Sequence, residues 1–187
     1  MQVVVTELPE VGVTVLSRWI FNCYVVHDGG AGRPMVVDPG LTSTTAAAIA
    51  LVGRLGSEPP VLEIARTARH TGLGGGTARF PMGADHWLAD GDEVPGAPAW
   101  QVVQVPGHTD DSTALWNPVT GVLLSGDAVL TRQGRAWFTP ELCDVEAAAR
   151  TEERLRVLPV GHLLPGHGRP VVGDGLMGRA LGPDERP

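Results

Sequence analysis

The stretch VPGHTDDS, residues 105–112, places His108 at a Pro-Gly turn that directly follows an apolar run. The stretch LLSGDAVL, residues 123–130, places Asp127 in the same way, after a Ser-Gly pair. An apolar, β-branched run that is closed by a turn signal is typical of a β-strand. Each stretch therefore predicts a strand end that carries a polar side chain.

Two more stretches have this form. LLPGHGRPV, residues 163–171, carries His167, and the Gly-rich ARTARHTGLGGG, residues 65–76, carries His70 after a strand-like run. Loops at strand ends lie along one edge of a sheet, so the four side chains can converge there. Imidazole and carboxylate groups are ligands of zinc, manganese and non-haem iron. The sequence thus predicts a metal site made from loops.

The order of elements indicates two sheets with associated helices. A β-meander is expected first, with strands at Val3–Val5, Val11–Leu16, Cys23–Val26 and Met35–Val37. A helix that Ser43 or Thr44 caps should follow and run to Leu55. A second group of strands then leads into an amphipathic helix in residues 143–158 and a last strand, HLLP. This alternation predicts two sheets packed face to face with helices outside.

The chain has the size and composition of one domain. It has 187 residues, of which 43% are hydrophobic, enough for a single core. From Gly173 the composition turns to Gly, Pro and charge. We therefore expect a domain over residues 1–172, followed by a C-terminal tail, frayed or forming a small helix, over 173–187.

Charge and cysteine content exclude several classes of function. The net charge of −7 repels phosphate backbones and anionic lipids, so neither nucleic acid nor a membrane is an expected partner. No export signal or membrane span is apparent, which predicts a soluble, cytoplasmic protein. Cys23 and Cys143 do not have metal-knuckle spacing, and no disulfide is expected. Both are expected to be small core residues.

The four phrases VVDPG, PGHT, SGD and PGHG, in this order and at these separations, resemble the metallo-β-lactamase superfamily. The resemblance implies an α/β fold, an αββα sandwich of two mixed β-sheets. The first metal motif of that family has the form T-H-x-H-x-D-H-x-G-G. Here Thr67 matches the threonine and His70 the second histidine, whereas Ala68, Gly72 and Leu73 replace the first histidine, the aspartate and the third histidine. The motif is therefore degenerate.

The resemblance also implies which ligands remain. His70, His108 and Asp127 correspond to the first metal position, but only Asp127 and His167 to the second. A dinuclear site is therefore not expected. The remaining residues suit one divalent ion, zinc first and iron or manganese as alternatives, or none.

The sequence does not assign the catalytic residues. Gly72 stands where the family has the aspartate that would hydrogen-bond the attacking nucleophile and shuttle a proton. General acid–base assistance of this kind is worth roughly 10² to 10⁴ in rate. Asp85 and His86 lie in a shortened segment after the motif and are candidates to replace it.

Two functions remain open. One is a metal-dependent hydrolase of an ester, thioester, lactone or amide, a small-molecule substrate in each case. The other is a non-hydrolytic protein that binds a small molecule or a partner, or catalyses another reaction, with Asp127 and the imidazoles retained as a hydrogen-bond cluster. His162 is interpreted as a strand-start residue, His27 as a turn residue and Asp38 as a turn anchor, all without a role in the site.

Overall fold

The computed structural model describes residues 2–29, 32–55, 63–65 and 88–185, and of 63–65 the backbone. The first sheet consists of the predicted four-stranded meander and a fifth strand. Its five strands, in spatial order, are β1 (Val4–Leu8), β2 (Val13–Arg18), β3 (Phe21–Val26), β4 (Met35–Val37) and β5 (Glu63–Ala65). The first four pair antiparallel, and β4 pairs parallel with β5. The sheet is therefore mixed, as expected.

Helix α1 (Thr42–Arg54) connects the two parallel strands β4 and β5. The helix lies where it was predicted, but its cap was predicted wrongly. The residue at the N-cap is Leu41, whose side chain makes no capping bond. Ser43 accepts a hydrogen bond from Arg18, and the Thr44 hydroxyl donates to the carbonyls of Pro39 and Leu41, so both side chains are used elsewhere.

The second sheet has six strands. In spatial order they are β13 (Val171–Val172), β12 (His162–Pro165), β9 (Val122–Gly126), β8 (Thr113–Asn117), β7 (Ala97–Gln104) and β6 (Glu93–Val94). Strands β12 and β9 pair parallel and the other neighbours antiparallel, so this sheet is also mixed. A hairpin that the sequence analysis did not anticipate, β10 (Val129–Arg132) and β11 (Arg135–Phe138), follows β9.

Helix α2 (Val145–Arg156) lies against the second sheet and begins at a side-chain cap. Asp144 accepts a hydrogen bond from the Ala147 N–H at 2.9 Å. The sequence predicts an apolar face of Val145, Ala148, Leu155 and Leu158, and this prediction is only partly correct. Ala147, Thr151 and Leu155 are buried, whereas Val145 is exposed.

Three apolar layers show how the sheets and helices stack. One cluster joins both sheets and includes Tyr24 and Val26 from β3 with Trp100 and Leu164 from the second sheet. A second cluster lies between the first sheet and α1, and a third lies between the second sheet and α2. Since each sheet packs on its partner with one face and on a helix with the other, the architecture is the expected αββα sandwich.

The segment after Gly173 differs from the expectation of a frayed tail or small helix. Leu176, Met177 and Ala180 are buried in the cluster under α2, and Leu181 is buried as well. Phe138 donates its backbone N–H to the Leu181 carbonyl, and Leu181 donates to the carbonyl of Ala136 on the same strand. These apolar contacts and the paired backbone outweigh the polar composition, so the segment is a packed strap of turns.

The two cysteines lie in different environments. Cys23 is buried between the first sheet and α1, as predicted, and burial raises the pKa of its thiol to about 12. Cys143, expected in the core, is exposed in the loop before α2. No helix among residues 2–29, 32–55 and 88–185 has the length and hydropathy to cross a bilayer.

Candidate functional site

The candidate site lies along one edge of the sandwich, where several strands end. Strands β9 and β12 are parallel neighbours, so the residues that follow them, Asp127 and His167, lie side by side. Strand β7 runs in the same direction, because β8 pairs antiparallel with both β7 and β9. His108, in the loop after β7, therefore reaches the same edge. The three side chains therefore lie together at this edge, and their role as metal ligands stays a prediction.

Asp127 and His167 form a direct hydrogen bond. His167 Nδ1 lies 2.5 Å from Asp127 Oδ1. Since an ionised carboxylate only accepts, Nδ1 carries the proton and donates it. Gly166 makes this approach possible, because a Cβ at that position would collide with Asp127 Oδ1 and come within 3.1 Å of the Gly126 carbonyl. Position 166 therefore requires glycine, because any side chain there would collide with Asp127.

His108 is held with its second nitrogen toward Asp127. Its Nδ1 donates to the Glu141 carbonyl at 2.8 Å, which leaves Nε2 as the acceptor atom of the neutral ring. Nε2 lies 3.9 Å from Asp127 Oδ2. Anchoring one ring nitrogen on a carbonyl while the other faces the site is how proteins orient a metal-ligating histidine.

The separation between His108 and Asp127 fits a shared metal ion. At 3.9 Å the two atoms are too far apart for a hydrogen bond, so a proton on Nε2 does not bridge them. Two metal–ligand bonds of about 2.0–2.2 Å at a tetrahedral angle place their donor atoms about 3.3–3.6 Å apart, so a small side-chain movement would bring both atoms onto one ion. Within the described part of the chain, however, no three or more His, Cys, Asp or Glu side chains are grouped as a complete metal site. The described donors alone therefore do not form a complete metal site.

Electrostatics at the site favour a positive charge. The hydrogen bond to Asp127 raises the pKa of His167, and partial burial opposes this effect. The charges of Asp127, Glu141 and Asp38 raise it further. Asp38, interpreted from the sequence as a turn anchor, does adopt a left-handed backbone conformation with φ of 50° after β4, and it also adds negative charge here. The site thus attracts cations.

Three residues of the first sheet hold the loop that carries His167, and sequence reasoning missed all three. The Phe21 ring lies 4.9 Å from the His167 ring, and the two residues form an isolated β-bridge. Asn22 and Tyr24 donate side-chain hydrogen bonds to the Pro165 carbonyl at 2.9 and 2.5 Å. One signal was present, since a polar Asn inside an apolar strand requires a buried partner.

A cleft of about 90 Å³ opens beside His108. Its walls are mainly apolar and come from Pro106, Phe138, Leu142 and Ala148, among others. The cleft lies between the His108 loop, β11 and α2. It gives the site a wall of low polarity next to a candidate ligand.

The remaining predicted residues divide into two groups. His70, with the rest of the degenerate motif, and the replacement candidates Asp85 and His86 lie outside the described residues. His162 begins β12, as predicted, with its Nε2 3.8 Å from a Glu10 carboxylate oxygen. His27 follows β3 and bonds the Thr14 hydroxyl at 2.7 Å.

Comparison with protein families gives one model match. The model for the metallo-beta-lactamase superfamily matches residues 60–167, more than half of the chain. This range contains all four residues predicted as metal ligands.

Two curated proteins are similar in sequence. A probable metallo-hydrolase, YflN, from Bacillus subtilis is 32% identical over 102 residues, which cover 46% of this chain and 38% of that protein. A hydroxyacylglutathione hydrolase from Methylococcus capsulatus is 29% identical over 150 residues, 73% of this chain and 57% of that protein. The chain therefore spans less than two thirds of either relative.

Solved structures show the same fold at low identity. The DIM-1 metallo-beta-lactamase matches with a TM-score of 0.68 at 16% identity, covering 95% of this chain and 94% of its own. A metallo-beta-lactamase family protein from Thermus thermophilus matches with a TM-score of 0.62 at 19% identity, covering 95% and 75%. A third, TTHA1623 in a di-iron-bound form, has a TM-score of 0.58 at 21% identity, covering 84% and 92%.

Proposed function

Because the chain belongs to the metallo-beta-lactamase superfamily, we propose that it is a metal-dependent hydrolase of a small carbonyl compound. Esters, thioesters, lactones and amides all have a carbonyl group that a metal-bound water can attack. The observation that carries the proposal is the 3.9 Å separation between His108 Nε2 and Asp127 Oδ2. A neutral imidazole Nε2 and a carboxylate oxygen are both donors that a divalent metal ion binds.

The ligand set that we propose is a single ion on His108 and Asp127, with His70 as the third ligand. Zinc suits two imidazoles and one carboxylate with an open position, and iron or manganese suits the same donors. The structural relative in a di-iron-bound form makes iron the first alternative to zinc. His167 as a fourth ligand stays a prediction, and only its Nε2 can coordinate while Nδ1 donates to Asp127.

Bound at this site, a divalent ion supplies Lewis acidity and lowers the pKa of water to about 7 in good zinc sites. Where His167 does not coordinate the ion, it transfers the proton instead; the two roles exclude each other, because both use Nε2. Because Nδ1 donates to Asp127, Nε2 is the atom of the neutral ring that can take up a proton from water and return it to the leaving group. The Asp127 carboxylate stabilises the imidazolium so formed, which is also why the pKa of His167 is raised.

A thioester is the first substrate class to test. One sequence relative is named a hydroxyacylglutathione hydrolase, which supports an acyl-glutathione as probe. The apolar cleft beside His108 offers a place for a small acyl group near the reacting carbonyl.

A specific observation also favours a second candidate, a binding protein without hydrolysis. The 2.5 Å bond between His167 and Asp127 is what a retained hydrogen-bond cluster would show. In that case the edge of the sandwich would bind a small molecule through Asp127 and the imidazoles, without a metal.

Steady-state hydrolysis of a thioester and ester panel, with zinc, iron or manganese added, separates the two candidates. We expect metal-stimulated turnover that falls by about 10²-fold or more in His108→Ala and in Asp127→Asn. His162→Ala is the matched control and should retain parental activity, since His162 lies at the start of β12 while the site lies beyond its end. Binding of the same compounds without turnover, and without an effect of metal, would favour the second candidate.

A further inference from the structure

The side chain of Asn22 crosses from the first sheet to the loop that carries His167. Asn22 is 6% exposed and lies on the face of β3 that packs against the second sheet, as does Tyr24 two residues later. Its Nδ2 donates to the Pro165 carbonyl at 2.9 Å and to the Gly168 carbonyl at 2.7 Å. One amide group therefore holds the loop on both sides of His167.

The backbone of Asn22 adds a third bond to the same loop. Its N–H donates to the Gly166 carbonyl at 3.0 Å. The carbonyls of Pro165, Gly166 and Gly168 thus all accept from one residue of β3. Buried carbonyls that lose a donor carry an uncompensated desolvation penalty, so this loop depends on Asn22 for its conformation.

The orientation of the Asn22 amide is itself fixed. Ser17, on the neighbouring strand β2, donates its hydroxyl hydrogen to Asn22 Oδ1 at 2.7 Å. With Oδ1 taken as acceptor, the Nδ2 group points at the loop. Tyr24 Oη gives the Pro165 carbonyl a second donor at 2.5 Å.

We propose that Asn22 is a positioning residue that sets the His167 imidazole against Asp127, with Tyr24 in a supporting role. The consequence for the reaction rests on the function proposed above. The His167 Nδ1 to Asp127 Oδ1 bond requires the loop to approach Gly126 and Asp127 closely, and Gly166 donates to the Gly126 carbonyl at 2.7 Å. Asn22 holds the opposite side of that loop, so its removal frees His167 to move away from Asp127.

The test compares Asn22→Ala with Asn117→Ala. Asn117 is a matched control, since it is also 6% exposed and its side chain also holds a turn, by accepting from the N–H groups of Val119 and Thr120. It pairs with Val122 at the start of β9, whereas Asp127 follows the other end of that strand. Both variants should lower the melting temperature.

Only Asn22→Ala should change the site. In metal-free protein, the NMR signal of the His167 imidazole N–H, far downfield and slow to exchange because it is bonded to Asp127, should broaden or disappear. It should persist in Asn117→Ala. In the active enzyme, Asn22→Ala should lower kcat by about 10-fold or more, the scale seen for residues that orient a ligand, while KM changes little.

Tyr24→Phe is a milder second variant, which keeps the test informative if Asn22→Ala does not fold. It removes one donor to the Pro165 carbonyl and keeps the ring, so a smaller loss of the same imidazole signal and a smaller fall in kcat are expected. Parental signal and kcat in both variants, with only the melting temperature lowered, would show that Asn22 is merely structural. The NMR result decides the matter even if the protein binds no metal and hydrolyses nothing, which would refute the proposed function alone.

Discussion

Gly168 and Gly134 both have left-handed backbone torsions, with φ of 102° and 76°, but their surroundings differ. A Cβ at Gly168 would collide with the backbone carbonyl of Thr131, whereas a Cβ at Gly134 would meet open space. We expect Gly134→Ala to lower the free energy of unfolding by about 1–2 kcal/mol, from torsional strain alone. Gly168→Ala should lower it by a further ~1–3 kcal/mol, from the collision.

Urea unfolding of the two glycine variants measures the difference. Equal losses of stability would show that the loop after His167 can move away from Thr131, which would contradict the rigid placement of His167 described above. In that case the contact between the loop after His167 and the hairpin of β10 and β11 would not fix the position of His167.

The two cysteines should react differently with a thiol reagent. Burial raises the pKa of Cys23 to about 12, so near pH 8 almost none of it is thiolate, and its sulfur is also inaccessible. Cys143 is exposed. We expect one thiol per chain to react with a chromogenic disulfide in native protein and two in denatured protein. Two rapidly reacting thiols in native protein would contradict the packing of α1 on the first sheet.

The proximity of His108, Asp127 and His167 could be predicted from the sequence, but the residues that hold them in place could not. His108, Asp127 and His167 each follow an apolar run and a turn, a local signal. Asn22 contacts carbonyls more than 140 positions away along the chain, so its role depends on how the two sheets face each other. No local pattern carries that information.

At the scale of elements, Asp144 ends the loop behind His108 and begins α2. Its side chain accepts from the Ala147 N–H. Asp144→Ala should lower the free energy of unfolding by about 1 kcal/mol, because the first turn loses its cap. Asp144→Asn retains an acceptor oxygen and should cost clearly less. Thermal unfolding of both variants checks this, and equal losses would assign the effect to charge instead of capping.

The strands of the meander and both helices could be predicted, because period and turn signals within each segment mark them. The hairpin of β10 and β11 was missed, although it has a two-residue turn with positive φ at both Gln133 and Gly134. Such turns are usually recognised by Asn-Gly or Asp-Gly. Gln at the first position, with φ of 52°, gives a weaker signal for the same geometry.

At the scale of the whole molecule, the C-terminal strap is part of the core. Met177 is 0% exposed, and we expect Met177→Ala to lower the free energy of unfolding by about 2–5 kcal/mol. Val172→Ala is the control, since Val172 is exposed and its replacement should change stability by less than about 0.5 kcal/mol. A neutral Met177→Ala in urea unfolding would restore the expectation of a frayed tail.

The composition of this segment is typical of a frayed tail, but its apolar side chains are buried. Gly, Pro and charged residues dominate it, although its four buried apolar side chains, at positions 176, 177, 180 and 181, have the spacing of one helix face. The structure has turns in place of a helix over residues 174–179, and the burial of these side chains depends on what α2 and β11 leave uncovered, which their spacing does not reveal. The sandwich itself was predictable, since two runs of strands with a helix each allow few other layered arrangements.

We propose that the edge of the sandwich that carries His108 and Asp127 binds one divalent ion. Plasma mass spectrometry of gently purified protein tests it most directly, with His108→Ala as the variant and His162→Ala as the control. We expect close to one zinc, iron or manganese ion per chain in the parent and in His162→Ala, and a large loss in His108→Ala. A parent protein that carries no stoichiometric ion, and takes none up when supplied, would contradict the account.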